Sequence, residues 1–223
     1  MKNISCEWLY NFETIDMIVL NTPHIELIYE RFYPRAENVI VTDGASNYVR
    51  AFLESSKKTL LPTQIVGDLD SISQDSRDFF RDVEIVCDTN PELTDLEKAL
   101  ALTTNQHVLI VGELTGRTDH LFRVFHCLCQ YYYRNKTVWF LGNENLIFPL
   151  KGNSSVDLYS LSEWTHYGLV PVDGRSVVST AGFKWNLSNE VMELGGLVST
   201  SNEVLQQTVF VDSTELVLLI CSK

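Results

Sequence analysis

No apolar run in this chain approaches the length of a membrane span, and basic residues are scarce. Lys and Arg total 17 against 29 Asp and Glu, a formal net charge of −12. Such a balance disfavours a phosphate backbone or an anionic membrane as partner, so no nucleic acid and no membrane are expected. A small anionic ligand would need a metal ion or a local basic group. Cysteine is sparse and unpatterned: the five residues Cys6, Cys87, Cys127, Cys129 and Cys221 include no CxxC and no spacing with histidine that would hold zinc. They read as reduced thiols in a packed interior. The start, Met1 to Glu7, lacks the continuous apolar core of a secretory signal, and a cytoplasmic location is the expectation. Walker A, a helix-opening GxGxxG and HExxH are all missing, as are internal repeats and low-complexity tracts.

What is present is a composition for a packed core. Hydrophobic residues make up 45% and charged residues 21% of 223, enough for one large domain or a larger and a smaller one. Apolar strand candidates at Asp16–Asn21, Asn38–Thr42, Gln64–Val66, Glu84–Cys87 and His107–Val111 alternate with helix candidates. The helices are read from Ile25, Ile28, Tyr29 and Phe32 at helical spacing, then near Ser46–Ser55, Gln74–Phe80, Thr94–Thr104 and Thr118–Tyr133. This alternation predicts a doubly wound, mostly parallel α/β domain over about 15–140. Beyond Lys136 the texture changes to short β-rich runs, among them Leu146–Leu150, Ser155–Ser160, Gly168–Val172 and Leu194–Ser199. These predict a C-terminal antiparallel β-sandwich. The expected domains are therefore 1–140 and 141–223, with no Pro/Gly/Ser-rich linker between them.

Three apolar strands run into loops that carry carboxylates: Asp43-Gly44-Ala45-Ser46-Asn47, Gly67-Asp68-Leu69-Asp70-Ser71, and the stretch from Gly112 to Asp119. In a parallel sheet such loops converge at the carboxyl ends of the strands, where ligands bind. Two residues of extended chain point Asp68 and Asp70 to the same side. A third acid, Asp95, stands at a predicted helix start beside Thr94 and Lys98, where backbone N–H groups also attract phosphate. Carboxylates and phosphates repel one another, so a hard divalent cation has to lie between them. Together these residues suggest a magnesium-polyphosphate site.

Each element also has a plainer reading. Thr94 and Glu97 fit a capping box on their own, although that box does not need Asp95. Arg117 offers forked donors suited to phosphate oxygens, and Asp119 can orient a hydroxyl nucleophile or ligate a metal; a simple loop-to-helix turn explains the same residues. His120 and His126, beside an apolar helix face, read as structural. Trp185 can stack on a flat cationic heteroaromatic ring or can fill a core.

In order, the chain reads Val19-Leu20-Asn21-Thr22-Pro23, Asp43–Asn47, Gly67–Ile72, Thr94-Asp95, Gly112–His120, Asn143-Glu144-Asn145, Thr180–Leu187 and Ser199–Asn202. This series resembles the thiamin pyrophosphokinase family, with its LNxP, DGGAN-like, GDxDSI, TD, GGRxDH, NEN, TxGxKWNL and STSN blocks. The resemblance implies an ATP-binding α/β domain followed by a thiamin-binding β-sandwich, in a homodimer with active sites between subunits. It implies transfer of the diphosphate of ATP to the hydroxyl of thiamin, with AMP as leaving group. By similarity Asp68, Asp70 and Asp95 would serve Mg2+ and phosphate, and Asp43, Asn47, Ser71, Thr94, Lys98 and Arg117 would hold ATP. Asp119 would orient or deprotonate the hydroxyl, and Trp185, Ser201 and Asn202 would line the thiamin pocket. The chain departs from the pattern at Ala45-Ser46, at Glu113, which replaces a glycine, and at Asn90-Pro91. The same acid cluster acting on water would make a magnesium-dependent phosphohydrolase, and without turnover a nucleotide-binding regulatory module.

Overall fold

A computed structural model of the chain describes residues 2–5, 14–23, 25–114, 116–158 and 164–223. Cys6, Thr115, Tyr159 and Ser160, each part of a sequence expectation, lie outside the described residues. In chain order come β1 (Lys2–Ser5), β2 (Ile15–Val19), α1 (Ile25–Arg31), β3 (Ala36–Thr42), α2 (Asp43–Ser56), β4 (Gln64–Gly67), α3 (Gln74–Phe79) and β5 (Glu84–Cys87). Then follow α4 (Asp95–Ala101), β6 (His107–Val111), α5 (Thr118–Tyr133), β7 (Thr137–Leu141), β8 (Asn145–Leu150), β9 (Ser154–Asp157) and β10 (His166–Pro171). The last strands are β11 (Ser176–Ala181), β12 (Glu190–Met192), β13 (Ser199–Asn202), β14 (Thr208–Ser213) and β15 (Val217–Ser222).

By its internal contacts the chain forms two units. One comprises Thr14–Cys127 and Tyr133–Asn143. Its strands run in the order β7-β6-β2-β3-β4-β5, and every neighbouring pair is parallel. Parallel strands buried on both faces read as continuous apolar runs, which is why β2, β3 and β6 were legible from sequence. Strand order reverses between β2 and β6, so their carboxyl ends open the crevice at which such sheets bind ligands. One carboxylate lies inside this sheet. Asp16 on β2 is fully buried and accepts from Asn38 Nδ2 at 2.7 Å, Thr104 N–H at 2.6 Å, and the N–H and Nδ2 of Asn105, both at 2.7 Å. Those bonds divert Thr104 and Asn105 from helical pairing, so α4 stops at Ala101 short of the expected Thr104.

The other unit comprises Met1–Glu13, Leu128–Tyr132 and Glu144–Lys223. Strands β10, β13, β15 and β8 pair antiparallel in the order β13-β10-β15-β8. A second sheet runs β1-β9-β14-β11-β12, antiparallel throughout except for β1, which lies parallel to β9. Alternation of buried and less buried residues along β10 and β14 gives each one inward face. The strand expected at Leu194–Ser199 is instead a turn through Gly195, whose φ of 92° is the left-handed backbone glycine tolerates, and β13 begins at Ser199. No described helix is long and apolar enough to cross a membrane.

Candidate active site

The carboxyl ends of β2, β3, β4 and β6 meet at a cavity of about 550 Å³. Apolar side chains, including Leu20, Leu96 and Val124, share its lining with Asp43, Ser71, Asp95 and Arg117. The Asp43–Asn47 block, read as a loop, is the first turn of α2. Asp43 is buried there, with one carboxylate oxygen accepting the Gly44 N–H at 2.6 Å and the other the Ser71 N–H at 3.3 Å.

Asp68 and Asp70 come to Asp43 because the turn after β4 is tightly tied. Leu69 takes a φ of 66°, its carbonyl accepts from Arg77 at 2.6 Å, and Asp68 accepts the Asp70 N–H at 3.2 Å. Gly67 is required by close approach: a Cβ there would stand 2.7 Å from Asp43 Cγ. As a result Asp43, Asp68 and Asp70 each present a carboxylate oxygen, and the three lie within 4.8 Å of one another. Burial, and then the negative charge of Asp95, push the Asp43 carboxyl above its ordinary range. An all-oxygen, like-charged group of this kind fits a hard divalent cation.

Asp95, expected beside Asp68 and Asp70 as a metal ligand, stands outside that group. Its carboxylate pairs with Lys98 at 3.0 Å. The Lys98 side chain is only 4% exposed. Burial pulls its pKa down, but the bond to Asp95 and the charges of Asp68 and Asp88 outweigh that and raise it, keeping the ammonium charged. Thr94 does form the capping arrangement, its N–H and hydroxyl donating to Glu97 at 2.9 and 2.8 Å. Arg117 and Asp119 pair with each other, Nε to Oδ1 at 3.1 Å and Nη2 to Oδ2, both exposed. The guanidinium holds the Asp119 carboxyl below its ordinary range.

Asn47 and Asn202 hold backbone. The Asn47 amide oxygen accepts from Ser73 N–H at 3.0 Å and Ser76 hydroxyl at 2.8 Å, and its NH2 donates to the Ser71 carbonyl at 2.8 Å. It thus pins the segment that carries Asp68 and Asp70. In the β-rich unit Asn202 accepts the Trp185 N–H at 3.2 Å and donates to the Trp185 carbonyl at 2.8 Å. Trp185 is left 55% exposed, which excludes the core reading. Lys184 Nζ, tied to Glu203 at 2.9 Å, sits 4.6 Å from the ring centroid. Ser201 is exposed at a φ of 55°.

Sequence reasoning missed pocket residues. His120, read as structural, is exposed and lines the cavity; Tyr48, Glu113 and Arg123 line it too. Arg123 had a signal: it follows Asp119 by four residues and so shares its helix face.

Residues 29–140 match the family model "Thiamin pyrophosphokinase, catalytic domain", and residues 155–218 match "Thiamin pyrophosphokinase, vitamin B1 binding domain". Thiamine pyrophosphokinase 2 of Oryza sativa subsp. japonica is 31% identical over 221 residues, 88% of this chain and 82% of that protein. Thiamine pyrophosphokinase 1 of the same plant is 33% identical over 167 residues, covering 68% of this chain but only 62% of its own length. The crystal structure of yeast thiamin pyrophosphokinase superposes with a TM-score of 0.86 at 20% identity, covering 99% of this chain and 90% of that one, and so shares the fold.

Proposed function

The chain belongs to the thiamin pyrophosphokinase family, and from that premise we propose that it transfers the diphosphate of ATP to the hydroxyl of thiamin, giving thiamin diphosphate and AMP. One observation carries the assignment of the nucleotide end. Three carboxylates gather at the carboxyl ends of β3 and β4, and one of them, Asp43, lines the cavity together with Arg117 and with Asp95, which holds the buried Lys98. Asp43, Asp68 and Asp70 would hold Mg2+, which when bound neutralises phosphate oxygens and makes the phosphorus easier to attack.

The chain's own residues do the rest. Lys98, charged and fixed by Asp95, lowers the repulsion between the acid group and a polyphosphate. Arg117 turns to phosphate oxygens when ATP enters. Asp119 then loses the cation that holds its pKa down, and its carboxylate becomes a better acceptor for the thiamin hydroxyl proton. The hydroxyl oxygen bonds to the β-phosphorus as the bond from that phosphorus to the AMP oxygen breaks. No covalent enzyme intermediate is needed. Trp185 offers an exposed indole face to the cationic ring of thiamin, in a loop set by Asn202. Ser201 lies beside that loop as a hydroxyl contact, while Asn47, Ser71 and Thr94 shape the nucleotide end.

Incubation with ATP, magnesium and thiamin tests this reading: AMP and thiamin diphosphate should appear in equal amounts. Inorganic phosphate with unchanged thiamin would indicate a hydrolase, and no turnover a binding module. The protein is further proposed to be a cytoplasmic homodimer, each site combining the acid cluster of one subunit with Trp185 of the other. Mixing Asp70→Asn and Trp185→Ala proteins under subunit exchange should then give, at thiamin well below the KM of the Trp185 variant, more activity than the two proteins assayed apart, because one site in the mixed dimer keeps both residues. No recovery despite demonstrated exchange refutes the shared site.

A further inference from the structure

Arg123 faces the cavity from α5, one turn beyond Asp119. Its forked donors are already engaged. Nε donates to Glu97 Oε2 at 2.9 Å, and Nη2 donates to Oε1 and Oε2 at 2.6 and 2.7 Å. Glu97 is the residue that accepts the N–H and hydroxyl of Thr94, so one carboxylate both caps α4 and anchors α5. The capping arrangement needs no arginine. Burial pushes the Glu97 carboxyl up, but the bonds from Thr94 and Arg123 outweigh it and hold the group ionised.

The two helices joined in this way carry separate parts of the site. Asp95 and Lys98 flank Glu97 on α4, and Asp119 lies at the start of α5 beside Arg117. An exposed ion pair contributes little by itself. Here, however, the Glu97 side chain is 9% exposed against 38% for Arg123, and a bidentate fork onto a buried carboxylate fixes direction as well as distance. Glu97 holds Nε and Nη2 of Arg123, so a phosphate would have to use Nη1, and the KM for ATP separates that role from positioning.

We propose that the Glu97–Arg123 pair is a positioning device that sets the spacing between the Asp95–Lys98 side and the Arg117–Asp119 side of the cavity, and so governs turnover more than nucleotide affinity. The inference rests on the diphosphoryl-transfer reading above. In such a reaction, a misplacement of about 1 Å costs on the order of a hundredfold in rate.

Steady-state kinetics of Glu97→Gln, Arg123→Gln, Arg123→Lys and the double variant Glu97→Gln/Arg123→Gln test it. Each single variant should lose roughly ten- to a hundredfold in kcat, with KM for ATP within about twofold of the parent. The double variant should be no worse than either single one, because both remove one interaction. Arg123→Lys, which keeps the charge without the fork, should not rescue turnover, and it supplies a mild variant if the glutamine forms fold poorly. Hydrogen exchange at the amides of Asp95–Lys98 should quicken in every variant, with and without MgATP. A tenfold rise in ATP KM confined to the Arg123 variants would make Arg123 a direct ligand and overturn the proposal. Strictly additive losses, or lowered melting temperatures with unchanged kcat, also overturn it. A parent protein that forms no AMP refutes the functional reading itself, and that control is read before any variant.

Discussion

Gly67→Ala isolates the packing that builds the acid cluster, because it adds a single methyl group and changes no charge. The new Cβ would stand 2.7 Å from Asp43 Cγ, 2.8 Å from Asp43 Cβ and 3.0 Å from Oδ2. Ordinary carbon contacts lie near 3.5–4.0 Å, so about 1 Å of displacement is demanded. The strand cannot supply it: Gly67 pairs with Cys87 on β5, and its carbonyl accepts the Asp88 N–H at 2.9 Å. Asp43 therefore moves, weakening its bonds to Gly44 and Ser71 and leaving the group it forms with Asp68 and Asp70. Overpacking of this kind costs about 1–3 kcal/mol, or a fall of about 2–12 °C in melting temperature for a chain of this size. Displacing a metal-facing carboxylate should also raise the Mg2+ concentration at half-maximal turnover by about tenfold or more. Thermal melts and a magnesium titration of turnover measure the two effects. A variant that melts like the parent and needs no more magnesium would refute both the contact and the role given to Asp43.

Trp185→Ala should raise the KM for thiamin by about 2–30-fold, since a cation–π contact is worth roughly 0.5–2 kcal/mol, while melting changes little because the residue is 55% exposed; a loss of about 3–5 kcal/mol in stability would restore the core reading. Arg117→Gln should move the acid limb of the kcat/KM profile to higher pH. The Asp119 carboxyl, held low by Arg117, stays ionised to lower pH in the parent, and without that partner it protonates sooner as pH falls; an unmoved limb excludes Asp119 as the proton acceptor. Asp16→Asn should lower stability by about 2–4 kcal/mol through loss of charge-assisted hydrogen bonds, seen as a lower urea midpoint at unchanged m-value, with turnover per folded molecule retained.

The α/β part was legible because its parallel strands are short apolar runs with acidic loops at one end, and because α5 carries an uninterrupted helical periodicity. What escaped was settled by distant partners. β1 reads Lys-Asn-Ile-Ser, too polar to announce a strand, and forms only because β9 offers an edge. The Asp43 block looked like a loop because Gly44 and Ser46 suggest one; the Asp43 carboxylate, by accepting the Gly44 N–H, starts the helix instead. Leu194–Ser199 looked like a strand until Gly195 and Gly196 turned the chain. At the site, the motifs located Asp68, Asp70, Lys98 and Arg117. They could not tell residues that face the cavity from Asn47 and Asn202, which brace backbone, nor show that Glu97 reaches Arg123 across 26 residues.

The pairing of β1 with β9 bears on how the chain is made and handled. Lys2 finds its partner at Ser154, so this strand waits through synthesis of the whole parallel sheet before it can pair, while that sheet can close as soon as β7 has emerged. The α/β part is thus free to form first, and the β-rich part last. A peptide fused just ahead of residue 2 would weigh on the sheet that contains β14 and β11, far along the sequence from the point of attachment. Trimming residues 2–5 would bare the β9 edge to other chains, and the harm would show as self-association and poor thiamin use, with the ATP end intact.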